Sequence, residues 1–294
     1  MLPPHKQLEQ GIAHQTGGRL AEALACYRLA AEAAQEPELR VEALRLQAIV
    51  HHMRAEWDEA LAAAGRAAAA ARDAALPDQA AEALNVEAMV HQARGDFAVA
   101  SELFEQILAV RTSDRVRGAA LQNLGSIAAQ RGDFDTARQR FLASHQCFRR
   151  AGYLRGEAVV LNNFGRAAVD NGNPRVAADM LRQAVSAAKR LGDAELVAIT
   201  TMNYAEALAG VRDHAQAFPL ASAALEHFTA TGNSWRRVEC LRLLGDIRRD
   251  RGEPAEADED YRNALTVATS IGALAEIDLL TRRRAALGAR GGGS

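Results

Sequence analysis

Aromatic residues make up only 5% of the 294-residue chain, although 49% of it is hydrophobic. Alanine fills that gap, which suits helices packed closely together. Cysteine is scarce. Cys26, Cys147 and Cys240 are odd in number, far apart and without a CxxC. They read as reduced thiols of an intracellular, cytoplasmic protein. Long apolar runs are missing too, and none approaches the roughly 20 residues of a membrane span. The opening Met1-Leu2-Pro3-Pro4-His5-Lys6 has no basic segment followed by an apolar run, so no secretory signal is expected. An excess of one charge is also lacking. With 35 basic and 37 acidic residues the net charge is −2, which calls for neither nucleic acid nor an anionic membrane as partner. No Gly-x-Ser-x-Gly elbow and no Gly-x-x-x-x-Gly-Lys phosphate loop occurs; "GGRL" at residues 17–20 lacks the lysine and a preceding strand. The expectation is a binding protein, not an enzyme, with no catalytic residues, no cofactor and no metal.

What is present is a period. Ala23, Ala60, Ala100, Ala137, Ala177, Ala217 and Ala257 recur at intervals of 37, 40, 37, 40, 40 and 40 residues. Each follows a turn and precedes, at four residues, a site that is usually large and apolar. A period near forty means stacked copies of one unit that cannot bury its apolar face alone. Such an array grows by addition and need not split into separate cores.

The unit is a helical hairpin. In the fourth, Leu121, Leu124, Gly125 and Ala128 fall at i, i+3, i+4 and i+7, one face of a helix. Gly132 ends it, Asp133 can cap the next helix, and Phe134, Ala137, Phe141 and Ser144 form the second stripe. Asp96 and Asp213 are cap candidates in other units. Gly11, Ala48, Ala88, Gly125, Gly165, Ala205 and Gly245 are the small positions of the first helices. Small residues on both helices let the backbones approach, and Tyr27, Phe104, Phe141, Leu181 and Tyr261 fill the space beside the contact. Ala64 and Ala221 depart from this, so the second and sixth units are expected to pack more thinly. Pro219, well inside a second helix, predicts a kink or a late helix start. Gln7 and Gln10 stand where later units have leucine or an aromatic, so the outer side of the first unit is expected to face water.

The stretches "LQNLGSIAAQRGDFDTARQRF" (121–141) and "LNNFGRAAVDNGNPRVAADML" (161–181) resemble the tetratricopeptide repeat (TPR). The family repeat is about 34 residues. At 37–40 residues this one is similar to the longer-repeat subgroup of kinesin light chains, Leu-Gly-Asn adaptors and the sensor repeats of bacterial regulators. The resemblance implies an all-α, right-handed superhelical solenoid. Seven hairpins are expected at about 4–37, 38–77, 78–115, 116–152, 153–192, 193–232 and 233–272, then a capping helix at 273–287 and a flexible Gly-rich tail at 288–294. Leu274, Ile277, Leu280 and Leu287 mark the capping helix, with Arg282, Arg283 and Arg284 toward solvent.

By the same resemblance the first helices line a concave groove. The stripe left free by the core then offers Asn85, Gln122, Asn123, Asn162, Asn163, Arg166, Asn203, Glu206, Arg242 and Asp246 as peptide-binding residues. Leu46, Ile49, Val86 and Met89 offer an apolar groove end. Asn123, Asn163 and Asn203 recur at 40-residue spacing. An amide carries both a donor and an acceptor, so such a row either grips a peptide backbone or braces neighbouring helices. The family's carboxylate clamp wants lysines and asparagines in the first units; the free stripe of the first unit offers Glu9, Ile12 and Gln15 instead, and the chain has very few lysines, which argues against that clamp. The functions implied are a scaffold or adaptor for an extended peptide or protein segment, or a sensor module controlling a separate effector or transcription regulator. His14, His51 and His91 share one repeat position, but stacked hairpins hold equivalent atoms too far apart for one metal ion, so they read as packing residues.

The repeat register has a direct test. Ala137→Leu is expected to overpack the hairpin and cost roughly 1–3 kcal/mol, seen as a lower Tm; an unchanged Tm would contradict the register.

Overall fold

The computed structural model of the protein describes residues 2–291, with side chains through Leu287. Among the described residues there are fifteen α-helices and no strand. They form successive hairpins: α1 (Pro4–Thr16) with α2 (Leu20–Ala33), α3 (Pro37–Met53) with α4 (Trp57–Asp73), α5 (Pro77–Arg94) with α6 (Phe97–Ala109), and α7 (Asp114–Gln130) with α8 (Phe134–Arg150). Next come α9 (Leu154–Asp170) with α10 (Pro174–Leu191), α11 (Ala194–Gly210) with α12 (His214–Ala230), α13 (Ser234–Asp250) with α14 (Pro254–Ser270), and then α15 (Leu274–Gly291). The chain divides into two compact units, Met1–Gly156 and Glu157–Ser294.

Each hairpin closes where a small residue meets a large one. The seven recurring alanines are all 0% exposed. A Cβ added at Gly125 would lie 2.8 Å from Phe141 Cδ1, closer than real atoms approach. Gly11 meets Tyr27, Gly165 meets Leu181 and Gly245 meets Tyr261 in the same way. Where the second helix carries alanine instead, the first does too: Ala48 with Ala64, and Ala205 with Ala221. Those hairpins do not gape. Ala64 and Ala221 are 0% exposed, because Val86 closes over the first and Leu243, Leu244 and Ile247 over the second.

In the first unit α1 packs on α3, α3 on α5 and α5 on α7, while successive second helices stand farther apart, with long side chains such as Arg140 and Glu105 bridging α8 and α6 at 2.7 Å. The first helices therefore form the tighter, inner layer. In the second unit α11, α13 and α15 relate in the same way.

Three local expectations are corrected. Gln7 is 3% exposed, because it stands one turn before Gly11 on the stripe that packs on α2; only Gln10 faces water. α12 starts at His214 and runs through Pro219 without a break. Pro219 is on the exposed side, where water can satisfy the carbonyl freed by its missing N–H. The carboxylates of Asp133 and Asp213 cap α8 and α12, accepting from Thr136 N and Gln216 N at 3.1 Å each. Asp96 makes no such cap.

The final helix is built as a first helix whose outer side has been made polar. Leu280 is fully buried against Val238, Leu241 and Tyr261. The positions that face a second helix on α13 are Val238, Leu241 and Gly245. Forty residues on they are Asp278, Thr281 and Ala285, all exposed, and Asp278 accepts a hydrogen bond from Arg282 Nε at 3.1 Å. Only Arg282 of the three arginines points to solvent. Arg283 pairs with Asp246, and Arg284 holds both oxygens of Asp258 at 2.7 and 3.2 Å. The Gly-rich tail expected over 288–294 is entered by α15 as far as Gly291; residues 292–294 lie outside the described residues.

Two glycines in helix interiors should respond oppositely to a methyl group. Gly125→Ala is expected to cost about 1–3 kcal/mol through its clash with Phe141. Gly65, on α4 with nothing near its absent Cβ, should gain about 0.5–1 kcal/mol as alanine. Urea unfolding of both variants checks the pair, and equal shifts would contradict the packing scheme.

Candidate functional site

The inner faces of the first helices carry the candidate site, and each unit has its own. In the first unit Ile12 on α1 and Met53 on α3 are 45% and 53% exposed. Ile49 and Met89 beside them are half-buried. Gln15 ties the first two helices, its Nε2 donating to Met53 Sδ at 3.6 Å and its Oε1 accepting from Tyr27 Oη at 2.7 Å. Burial, with the Glu42 charge adding to it, pushes the Tyr27 hydroxyl up to about 12, so it remains a donor. Leu46 and Val86 do not join this strip. At 9% and 2% exposure they are core residues, because their side of the helix turns toward the neighbouring second helices; Leu46 packs with Ala23, Leu24 and Tyr27, and Val86 with Ala63 and Ala64.

Beside the strip, amides link consecutive first helices. Asn123 Nδ2 donates to Asn85 Oδ1 at 3.2 Å, and Asn85 Nδ2 to Met89 Sδ at 3.4 Å. Both asparagines and Gln122 keep part of their surface in water. Arg45 closes the row toward the helix N-termini, pairing with Glu42 at 2.7 Å and Glu82 at 3.4 Å.

The second unit uses the same amide link more deeply. Asn203 Nδ2 donates to Asn162 Oδ1 at 2.7 Å, and the two residues are 1% and 8% exposed. These two braces leave the ligand-facing set, since a guest cannot reach a buried amide. Asn163 and Glu206 remain half-buried and Arg166 exposed. Arg242 and Asp246 are spent within the protein. Asp246 Oδ1 accepts from Tyr261 Oη at 2.7 Å and Arg249 Nη1 at 3.1 Å and also pairs with Arg283, while Arg242 Nε lies 3.6 Å from Glu276. Ile12 was legible as an apolar residue on this stripe, but its exposure depends on how α1 and α3 pack.

The three histidines at one repeat position hold turns. His14 Nδ1 accepts from Arg19 Nε at 2.9 Å, His51 Nδ1 lies 2.7 Å from Glu56, and His91 Nδ1 lies 3.4 Å from Asp96. Each reaches the residue five places on, across the turn that joins the two helices of its hairpin. Burial raises the thiols of Cys147 and Cys240, the latter to about 12, the reverse of what a nucleophile needs. The carboxyl raised above its ordinary range, Asp260, lies away from the inner face on α14. Burial pushes it up to about 6 despite Arg248, whose Nη1 is 3.1 Å from Oδ2.

A comparison with protein families matches the description "Tetratricopeptide repeat" to residues 117–190 and 196–270, about half of the chain. The chain belongs to the tetratricopeptide repeat family. Among solved structures this TPR protein resembles the apo form of the quorum sensor NprR from B. thuringiensis, at 16% identity over 89% of this chain and 75% of that one, with a TM-score of 0.67. Apo RapI is similar at 16% identity, 92% and 98% coverage and a TM-score of 0.62. A Rap protein complexed with competence and sporulation factor is similar at 14% identity, 97% and 74% coverage and a TM-score of 0.57. At these identities the likeness is one of fold, a TPR solenoid. No curated protein sequence matches the chain. No helix among the described residues is long and apolar enough to cross a membrane.

Two outcomes follow from this geometry. Asn203→Ala strands a buried Asn162 oxygen and should cost about 1–3 kcal/mol; unchanged stability would mean the amide is not a brace. For Asp260, the folded state binds its proton more tightly than the unfolded chain, so stability rises as pH falls through about 6 and levels off below the ordinary carboxylate range. Asp260→Asn should therefore raise Tm near neutrality and bring the variant and wild type together at low pH. A series of Tm values between about pH 4 and 7.5 reads the difference.

Proposed function

We propose that this TPR protein is an interaction scaffold that holds an extended peptide or protein segment against the inner faces of its first helices, with its apolar anchor on the first unit. The observation that carries this is the exposure of Ile12 and Met53, 45% and 53%, on consecutive first helices beside an amide pair. An apolar strip next to amides suits an extended chain: the strip takes side chains, and the remaining polar capacity of Asn85, Gln122 and Asn123 takes backbone groups. In the second unit the reachable polar residues are Asn163, Arg166 and Glu206.

A second reading is a sensor module that answers a peptide or small ligand and controls a separate effector or transcription regulator. The fold likeness to the quorum sensor NprR favours it. Ligand-dependent scattering dimensions separate the two, since a sensor changes size on binding and a plain scaffold does not.

A library of random short peptides selected on the purified protein tests the site. Enrichment of sequences with an apolar residue is expected, and it should vanish with Ile12→Ser combined with Met53→Ser. Both side chains are exposed enough for the fold to tolerate the change. Recovery of the same peptides by the double variant, or no enrichment on the wild type, would end the proposal.

A further inference from the structure

The turns that join the two helices of each hairpin hold Gly18, Ala55, Gly95, Gly132, Gly172, Arg212 and Gly252, every one at positive φ. Arg212 is the charged member, at φ 63°. That conformation costs a residue with a side chain energy that glycine avoids. Ala55 bears it too, so the backbone alone marks nothing. What sets Arg212 apart is where its side chain goes.

Arg212 lines a notch of about 410 Å³ in the second unit, between the α9–α10 turn and the α11–α12 turn. Arg175, in the first turn of α10, lines the same notch. Gly210 makes this possible. Pro174 lies 3.0 Å from where its Cβ would be, so the end of α11 can lie against the start of α10. Both guanidinium groups are exposed, and neither has an ion pair or hydrogen bond among the described residues. No carboxylate lines the notch. The nearest acid in sequence, Asp213, is committed to α12 through Gln216 N at 3.1 Å and Gln216 Nε2 at 2.6 Å. In a chain of net charge −2, whose arginines are elsewhere widely paired with acids, two unpaired ones sharing a notch are a site of uncompensated positive charge.

We propose that Arg175 and Arg212 form an anion-recognition notch for acidic side chains of a bound protein segment. Guanidinium groups take carboxylates through parallel N–H donors. The two arginines stand on separate turns of an open notch, which suits carboxylates spaced along a chain better than one enclosed small ion. No residue of the apolar strip lines the notch, so the proposal stands whether or not a peptide binds the first unit.

The test uses the whole chain and fluorescently labelled hexaglutamate at low ionic strength, read by anisotropy, with unlabelled hexaglutamate and inorganic phosphate as competitors. Hexaglutamate should bind, and Arg175→Gln and Arg212→Gly should each weaken it at least about tenfold. Arg282→Gln, which alters an exposed arginine on α15, should leave it unchanged. Arg212→Gly should also raise Tm, because it removes the cost of positive φ while deleting the ligand contact; this separates lost binding from lost folding. No binding of hexaglutamate, equal losses in all three variants, or displacement by phosphate as effective as by unlabelled hexaglutamate would overturn the proposal.

Discussion

The fold depends on one steric contact repeated down the chain: a residue without bulk on the first helix against a large one on the second. It fixes how closely the two helices of a hairpin approach, and so where every other side chain lies. Gly11 with Tyr27, Gly125 with Phe141, Gly165 with Leu181 and Gly245 with Tyr261 show it in one form. Ala48 with Ala64 and Ala205 with Ala221 show the other, in which the summed size of the pair is shared differently. Interiors are close-packed, so a pair mismatched by one methyl is felt. This explains why a chain so poor in aromatics has a fully buried alanine at the centre of each hairpin.

Much of this was legible in the sequence, because steric needs recur at a fixed period. The alanine series, the helix faces and the turn positions follow from side-chain size and backbone preference, which are local. The candidate site was less legible, because exposure on an inner face is decided between hairpins. Leu46 and Ile49 are three residues apart, yet a small difference in angle puts one in the core and leaves the other half-buried. The asparagines show the same limit. Their spacing allowed both gripping and bracing, and only the distance between neighbouring helices decides that Asn203 is a brace while Asn123 keeps a solvent-facing part. Gln7 was misplaced for a related reason: its polarity suggested water, but its place on the Gly11 stripe outweighs that.

Electrostatics follow the same division. The charged groups of the α13–α15 region neutralise one another: Asp246 gathers Tyr261, Arg249 and Arg283, and Asp258 gathers Arg284. Such a surface is rigid and has little charge left for a partner. The first unit instead shows uncharged apolar and amide groups, and the notch at Arg175 and Arg212 keeps its charge unspent. Recognition by this scaffold is therefore expected where the protein has left its own groups unsatisfied.

A stack of like units carries a hazard, since a last unit that still resembles its neighbours invites another molecule to continue the pile, and a head-to-tail contact that does not close into a ring grows into a fibre. On α15 the three places that would receive a further helix hold Asp278, Thr281 and Ala285, with Asp278 bonded to Arg282. Covering that side would strip water from a charged pair for almost no apolar area. One carboxylate and one hydroxyl, set where valine and leucine stand forty residues earlier, thus deny a further helix the apolar area it would need on this side of α15, while its inner side stays firmly seated.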